Sequence, residues 1–272
     1  MHYSEIFKSS VHAGVSGGIA MTFQVSSLMW LRTTMNYQYK NGGTMFDTLK
    51  LLKNQGGILR LYRGYPFALM QGPVARFGDT AMNKFANEAL KDKHIAIKTG
   101  AGSLGASLWR ILIMPIDAFK SNLQIHGKEG VSTLVNKVKN SGPRVLWHGA
   151  LASVGGSFLG HYPWFFTYNF LQENVPKYDG NFSSTRSMAI GFCSGTVSDV
   201  VSNSVRVIKI NRQTESSVIT YRETVSRIIK SDGIIGLMTR GLKTKILING
   251  LQSSVFVLAF DRINRYLNDS DK

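Results

Sequence analysis

Asp117, Lys120 and Gln124 stand three and four residues apart in the segment PIDAFKSNLQ (115–124), so a helix brings all three to one face. An acid, a base and an amide in that array suit ion pairing and hydrogen bonding to a polar solute. The stripe extends back through Ser103, Ser107 and Arg110, and a second stripe runs Asp199, Ser202, Arg206, Lys209, Gln213. No catalytic Ser-His-Asp set and no cluster of metal ligands stands out, so neither a metal nor a cofactor is expected. GGILRLYRG (56–64) lacks the Gly-Lys-Ser/Thr ending of a phosphate loop. One cysteine, Cys193, excludes an internal disulfide framework. An enzyme is not expected.

Charged stripes of this kind need long helices around a watery interior. The 272 residues carry 32 Lys and Arg against 16 acids, a net charge of +16 that calls for an anionic partner such as phospholipid, nucleic acid or a small anion. The opening MHYSEIFKSS has neither the basic start nor the apolar core of a cleavable signal. Segment 11–31 has no fixed charge and 150–171 has only His161. Each approaches the ~20 residues that cross a bilayer core as a helix. Windows around 64–83, 99–116, 187–205 and 246–260 are apolar, the first three with one or two charges and the last with Lys245 and Asp261 at its edges, and charges at that depth usually face a bundle interior or a water-filled cavity. Six buried helices of a soluble bundle form the competing reading; a membrane protein is preferred.

LKNQGGILRLYRG (52–64), VKNSGPRVLWHG (138–149) and IKSDGIIGLMTRG (229–241) align as amphipathic run, Gly turn and Arg-Gly or His-Gly before an apolar helix. Upstream of each lies a small-residue helix, at 14–18, 100–105 and 191–195, where glycines let helices approach closely in lipid. Three units follow, 1–97, 98–183 and 184–272, each helix, surface helix, helix, joined in one structural domain. The connection 32–63 holds six Lys and Arg with one acid, whereas 172–186 has two of each. The positive-inside rule then puts the long connections on the side equivalent to the bacterial cytoplasm and both termini on the other side.

This period, with PIDAFKSNLQ closing an odd-numbered helix, resembles the mitochondrial carrier family. QGPVARFGDTAMN, WRILIMPIDAFK, GHYPWFFTYNFLQ and NSVRVIKINRQT are most similar to its fungal citrate/oxoglutarate carriers. The resemblance implies an all-α membrane protein of six transmembrane helices in three pseudo-threefold repeats, each with a short matrix surface helix. It further implies a monomeric inner-membrane antiporter exchanging citrate for 2-oxoglutarate around one central site. A nucleotide carrier of the same fold is the alternative, and a DNA-anchoring role for the basic matrix face is an alternative of another class.

Alignment of Val25–Thr34 and Ser204–Gln213 with Pro115–Gln124 puts Ser27 and Trp30 beside Asp117 and Lys120, and Arg206 and Lys209 beside both. The family's matrix gate then implies an Asp117–Lys209 ion pair, a Lys120–Ser27 polar contact and an Arg206–Trp30 cation–π contact of roughly 0.5–2 kcal/mol, followed by Gln124 and Gln213. A sharp proline kink is expected only in the third helix. The opposite, cytoplasmic gate maps to Asn83, Asn169, Gln172, Asp261 and Asn264, with one charge left. The resemblance places substrate against Gln71, Arg76, Arg110, Ser157, His161, Asp199, Lys245 and Asn249. Cardiolipin is implied at Gly56, Arg63, Gly64, Gly142, His148, Gly149, Gly233, Arg240 and Gly241, where helix starts suit phosphates.

Overall fold

The computed structural model describes residues 2–90, 94–176 and 181–252; side chains are described from residue 21 onward except at 76–77, 79–81, 83–85, 87–88, 95–96, 99 and 181–184. Regular structure among the described residues is entirely helical. The first third holds α1 (His2–Asn41), α2 (Met45–Leu61) and α3 (Tyr65–Ala89). The middle holds α4 (Ile95–Leu112), α5 (Met114–His126), α6 (Gly130–Ser141) and α7 (Ala150–Asn174). The last third holds α8 (Asn181–Thr214), α9 (Tyr221–Thr239) and α10, helical from 242 to 252.

Local chemistry sets these bounds. Thr44 and Thr220 cap α2 and α9 by accepting from the backbone N–H groups of Asp47 and Glu223, three residues on. Gly57 and Gly233, both at left-handed φ, break α2 and α9 partway, so short surface helices precede the breaks where the sequence predicts them. The third long segment divides at Ile113, and α5 restarts with Pro115 in its first turn, where a missing N–H costs nothing. Without a proline at that place, α1 and α8 run through unbroken, as expected.

Side-chain polarity is inverted relative to a water-soluble bundle. Along α8, Ser194, Ser198, Asp199, Ser202 and Asn203 are buried while Phe192, Val197, Val200 and Val201 are exposed. Along α7 the inner line is Ser153, Gly156 and Gly160, and the outer line is Leu151, Phe158, Tyr162, Phe166 and Phe170. A continuous exposed apolar face of this kind is what a lipid-facing helix presents. Yet none of the described helices is long and apolar enough to cross a membrane, contrary to the expectation from segments 11–31 and 150–171. At 34 residues α8 has ample length, so its inward Ser and Asn stripe is what lowers its apolarity.

Tyr39 of α1, Ile125 of α5, Val207 and Ile210 of α8, and Ile228 of α9 form one cluster. It ties the three parts of the chain together beneath the charged stripe.

Candidate functional site

Three glycine contacts set the register of the site. Gly64 and Gly149, at φ 81° and 95°, precede α3 and α7. A Cβ on Gly64 would lie 2.9 Å from the Lys120 carbonyl oxygen, and one on Gly149 would lie 3.3 Å from that of Lys209. Gly241, before α10, bears the same relation to the Met35 carbonyl at 3.2 Å. Met35 therefore stands where Lys120 and Lys209 stand, and Arg32 stands at the position of Asp117 and Arg206. Gly42 and Gly127, both at left-handed φ, each follow that position by seven residues and agree.

The expected alignment is thus displaced by five residues in α1, which has no proline to mark the place. Ser27 and Trp30 are not gate residues by position. The Trp30 indole N–H donates to the Ser27 carbonyl at 2.9 Å, and its ring packs on the cluster of Leu28, Leu31 and Ile248. Arg206 does not reach it and instead donates to Asp199 Oδ1 at 2.6 Å. Lys120 likewise bypasses Ser27. The cation–π contact that forms among the described residues is Arg212 over Tyr221, at 3.9 Å.

At the gate layer Asp117, 3% exposed, accepts two hydrogen bonds and joins a further ion pair. Lys120 Nζ reaches its Oδ1 at 2.6 Å, Gln71 Nε2 the same oxygen at 2.7 Å, and Lys209 Nζ its Oδ2 at 2.7 Å. Lys120 also donates to Gln71 Oε1. Gln71 therefore braces the ion pair. Gln124 accepts from Asn36 Nδ2 at 2.5 Å, whereas Gln213 is buried.

Above this layer lies a cavity of about 380 Å³, within the range of small-molecule sites. Its walls bring Arg32, Arg110, Lys120, Arg206, Lys209 and Lys245 around Asp117. Asp199 lies behind the wall, 2% exposed, with Lys245 Nζ at 3.9 Å and the Asn249 amide donating to it. Lys245 also donates to Asn249 at 2.8 Å. Among the described residues six cations stand with two carboxylates here, so this arrangement can hold and orient an anion of multiple charge.

Other predicted residues lie elsewhere. Ser157 and His161 are partly buried on α7 and do not line the cavity. The side chains of Arg76 and Asn83, and all of Asp261 and Asn264, lie outside the described residues. Asn169 is exposed, while Gln172 accepts from Arg186 Nη1 at 2.6 Å and so joins α7 to α8. Arg32, Met35, Tyr39 and Ser121 are among the lining residues that sequence reasoning missed. The seven-residue spacing from Met35 to Gly42, matched by Lys120 to Gly127, was the signal that could have found the first two.

On the far side of the gate, each third of the chain caps the next long helix with a cation. Arg60 donates to the carbonyls of Gln124 and Ile125, Lys137 to those of Arg212 and Glu215, and Arg240 to that of Lys40. Helix C-termini favour positive charge and leave carbonyls free for such bonds. Burial, aided less by Lys137 and Arg212, pushes His148 down to about 4, so its imidazole is neutral. Arg240 is buried and also bonds Asp232 and Ser231. Neither residue is thereby placed as a charged lipid ligand. Gly64, Gly142, Gly149, Gly233 and Gly241 do adopt left-handed turns, while Gly56 is extended and Arg63 is partly buried.

A helical bundle with apolar residues outside, a cation-lined cavity inside and a buried ion pair across one end has the construction of a solute carrier. Residues 91–179 and 180–271 match the model of the mitochondrial carrier protein family, about two thirds of the sequence. The chain belongs to that family, whose members are transporters rather than enzymes, and membership implies the mitochondrial inner membrane. It is 21% identical over 196 residues to nicotinamide adenine dinucleotide transporter 2 of Arabidopsis thaliana, covering 66% of this chain and 53% of the relative. It is 24% identical over 182 residues to the mitochondrial RNA-splicing protein MRS3 of Saccharomyces cerevisiae, covering 63% and 57%. An uncharacterized mitochondrial carrier of Schizosaccharomyces pombe is 28% identical over 123 residues, covering 39% and 36%. The chain spans about half the length of the first two. Neither name is that of a citrate/oxoglutarate carrier, so that narrower resemblance rests on its four segments alone.

Proposed function

We propose that the protein is an inner-membrane antiporter for small organic anions with two or three carboxylates, citrate and 2-oxoglutarate being the first candidates. The observation that carries this reading is the cavity itself. Among the described residues, Arg32, Lys120, Arg206, Lys209 and Lys245 exceed Asp117 and Asp199 by three formal charges within it and behind its wall, and Arg110 stands in the same wall. Charges removed from water are costly without partners, so a polyanion is their natural complement. Guanidinium forks bind carboxylates through paired, charge-assisted hydrogen bonds.

Transport follows from competition at the gate. An anion arriving above Asp117 draws on the same ammonium groups that Asp117 holds, and so favours the state in which the Asp117–Lys209 pair is released. Substrate must stabilise that intermediate more than either end state for exchange to be fast. In this reading the three thirds, 1–97, 98–183 and 184–272, supply two membrane-spanning helices each. The termini face the intermembrane space, Gln172 belongs to the opposite gate, and the glycine turns hold anionic lipid.

A nucleotide substrate is the second reading. The name of the Arabidopsis relative favours it, and phosphates suit the same cations. Purified protein in liposomes loaded with citrate, 2-oxoglutarate, malate, phosphate or ADP decides between them. Uptake of labelled citrate that requires an internal di- or tricarboxylate supports the proposal. Exchange of ADP without citrate supports the second reading, and no exchange of any of them overturns both.

A further inference from the structure

The cavity floor has binding capacity that the protein does not use on itself. Arg32 lines the cavity and makes no hydrogen bond or ion pair among the described residues, although it occupies the position that Asp117 holds in the middle third. It repels Lys120, its neighbour across the floor. Ser121 Oγ is fully buried on the same wall and has no hydrogen-bond partner. The Tyr39 hydroxyl, on a side chain 2% exposed beside Arg206, is also without a partner of hydrogen-bonding geometry. Buried polar groups are nearly always satisfied, and those that are not need a physical explanation. Here two buried hydroxyls and a guanidinium without a partner border a single cavity, next to an ammonium whose only carboxylate is shared with Lys209.

We propose that Arg32, Ser121 and Tyr39, with Lys120, form an anion site in the gate floor that receives one carboxylate or phosphate group of the transported solute. The inference rests on the transport reading and refines its substrate class. The bound group takes the place of the carboxylate that Arg32 has displaced, and balances the Arg32–Lys120 repulsion while it is present. A solute anionic at both ends spans from this floor to Arg110 and Lys245 higher in the cavity. A solute with one anionic end engages only one of the two clusters. Arg32 is thus a specificity-determining residue that selects for at least two separated negative groups.

The test measures liposome exchange and thermal melting of the purified protein with citrate, 2-oxoglutarate, lactate and inorganic phosphate. Charge-assisted hydrogen bonds predict that Arg32→Gln raises KM for citrate by about 10- to 100-fold, with Arg32→Lys recovering part of the loss. Tyr39→Phe removes a hydroxyl that lies beside Arg206 without full hydrogen-bond geometry. It should leave the melting temperature without anion unchanged while weakening the citrate-induced rise in melting temperature several-fold. Arg32→Asp supplies a partner for Lys120, so melting without anion rises and the anion-induced rise disappears. Stabilisation by phosphate alone but not by carboxylates assigns the floor to a phosphate-bearing solute and supports the site. If wild type transports none of the solutes yet citrate or phosphate raises its melting temperature and Arg32→Gln abolishes the rise, the site stands and the transport reading falls. Unchanged KM and unchanged anion-induced stabilisation in both Arg32→Gln and Tyr39→Phe overturn the site, as does a wild-type protein whose melting no anion shifts.

Discussion

Replacing Asp117 by Asn tests the gate with almost no change of volume. Its carboxylate holds Lys120 at 2.6 Å and Lys209 at 2.7 Å, and its side chain is 4% exposed. The amide keeps a partner for Gln71 but leaves two ammonium groups close together, with Arg32 and Arg206 on the same cavity wall. Removing one member of a buried ion pair typically costs about 3–5 kcal/mol, because the remaining charge stays buried without its counter-ion. For a domain of this size that corresponds to a melting temperature lower by roughly 6–20 °C. With the loss falling on the gate-closed state alone, the closed-to-open ratio drops by about two to four powers of ten. Melting in fixed detergent and lipid should be followed for Asp117→Asn, Lys209→Gln and the double variant. The double variant should be less destabilised than the two single losses predict together, by about 1–3 kcal/mol. A single variant within 2 °C of wild type, or strictly additive losses, would refute a gate held by this pair.

Other expectations follow from the same contacts. Gly64→Ala places a methyl 2.9 Å from the Lys120 carbonyl at φ 81°, so a loss of about 1–3 kcal/mol is expected from backbone strain and displacement together; equal melting temperatures would remove the inter-helix contact from the account. Arg240→Gln breaks bonds to Asp232, Ser231 and the Lys40 carbonyl and should lower stability by about 2–4 kcal/mol, without reducing cardiolipin binding in a lipid-overlay titration. Glu215 is opposed by burial, yet the hydrogen bond and charge of Lys40, with Arg227 and Lys137, hold its carboxyl below the ordinary range. Its contribution is present above the unfolded pKa and is lost as pH falls through the folded one, so Glu215→Gln should flatten the acid limb of a melting-versus-pH curve. Lys137 is pushed by burial down to about 8, against the pull of Glu215. The unfolded chain therefore binds more protons between pH 8 and about 10.5, stability rises with pH there, and Lys137→Gln should abolish that rise.

Much of this architecture is written in local signals. The Gly-turn segments at 52–64, 138–149 and 229–241 announced the recurrence, and Pro115 announced the one broken long helix. The Asp117–Lys209 contact was also legible, because both thirds that contribute it keep charged residues three apart. The first third was misplaced because Trp30 and Ser27 looked like drifted gate residues, whereas Arg32 and Met35 do not resemble the family pattern at all. Only the distance to Gly42 fixes them, and a spacing to a glycine carries less chemical character than a proline or an acid. Arg240 illustrates a different limit. A cation before a glycine suits a lipid phosphate and an inter-helix cap equally well, and only its burial against Asp232 and the end of α1 separates the two. Apolarity misled for a physical reason too, since helices that line a polar cavity hide serine and asparagine on their inner face.

The most direct measurement of the central claim compares exchange rates in liposomes for three charge deletions made one at a time. Arg110→Gln and Lys245→Gln remove cations from the cavity wall, while Lys50→Gln removes one from the exposed face of α2. If the cavity is the transport site, both cavity variants lose most of their citrate exchange and the α2 variant matches wild type. Cavity variants that exchange as fast as wild type would contradict the account.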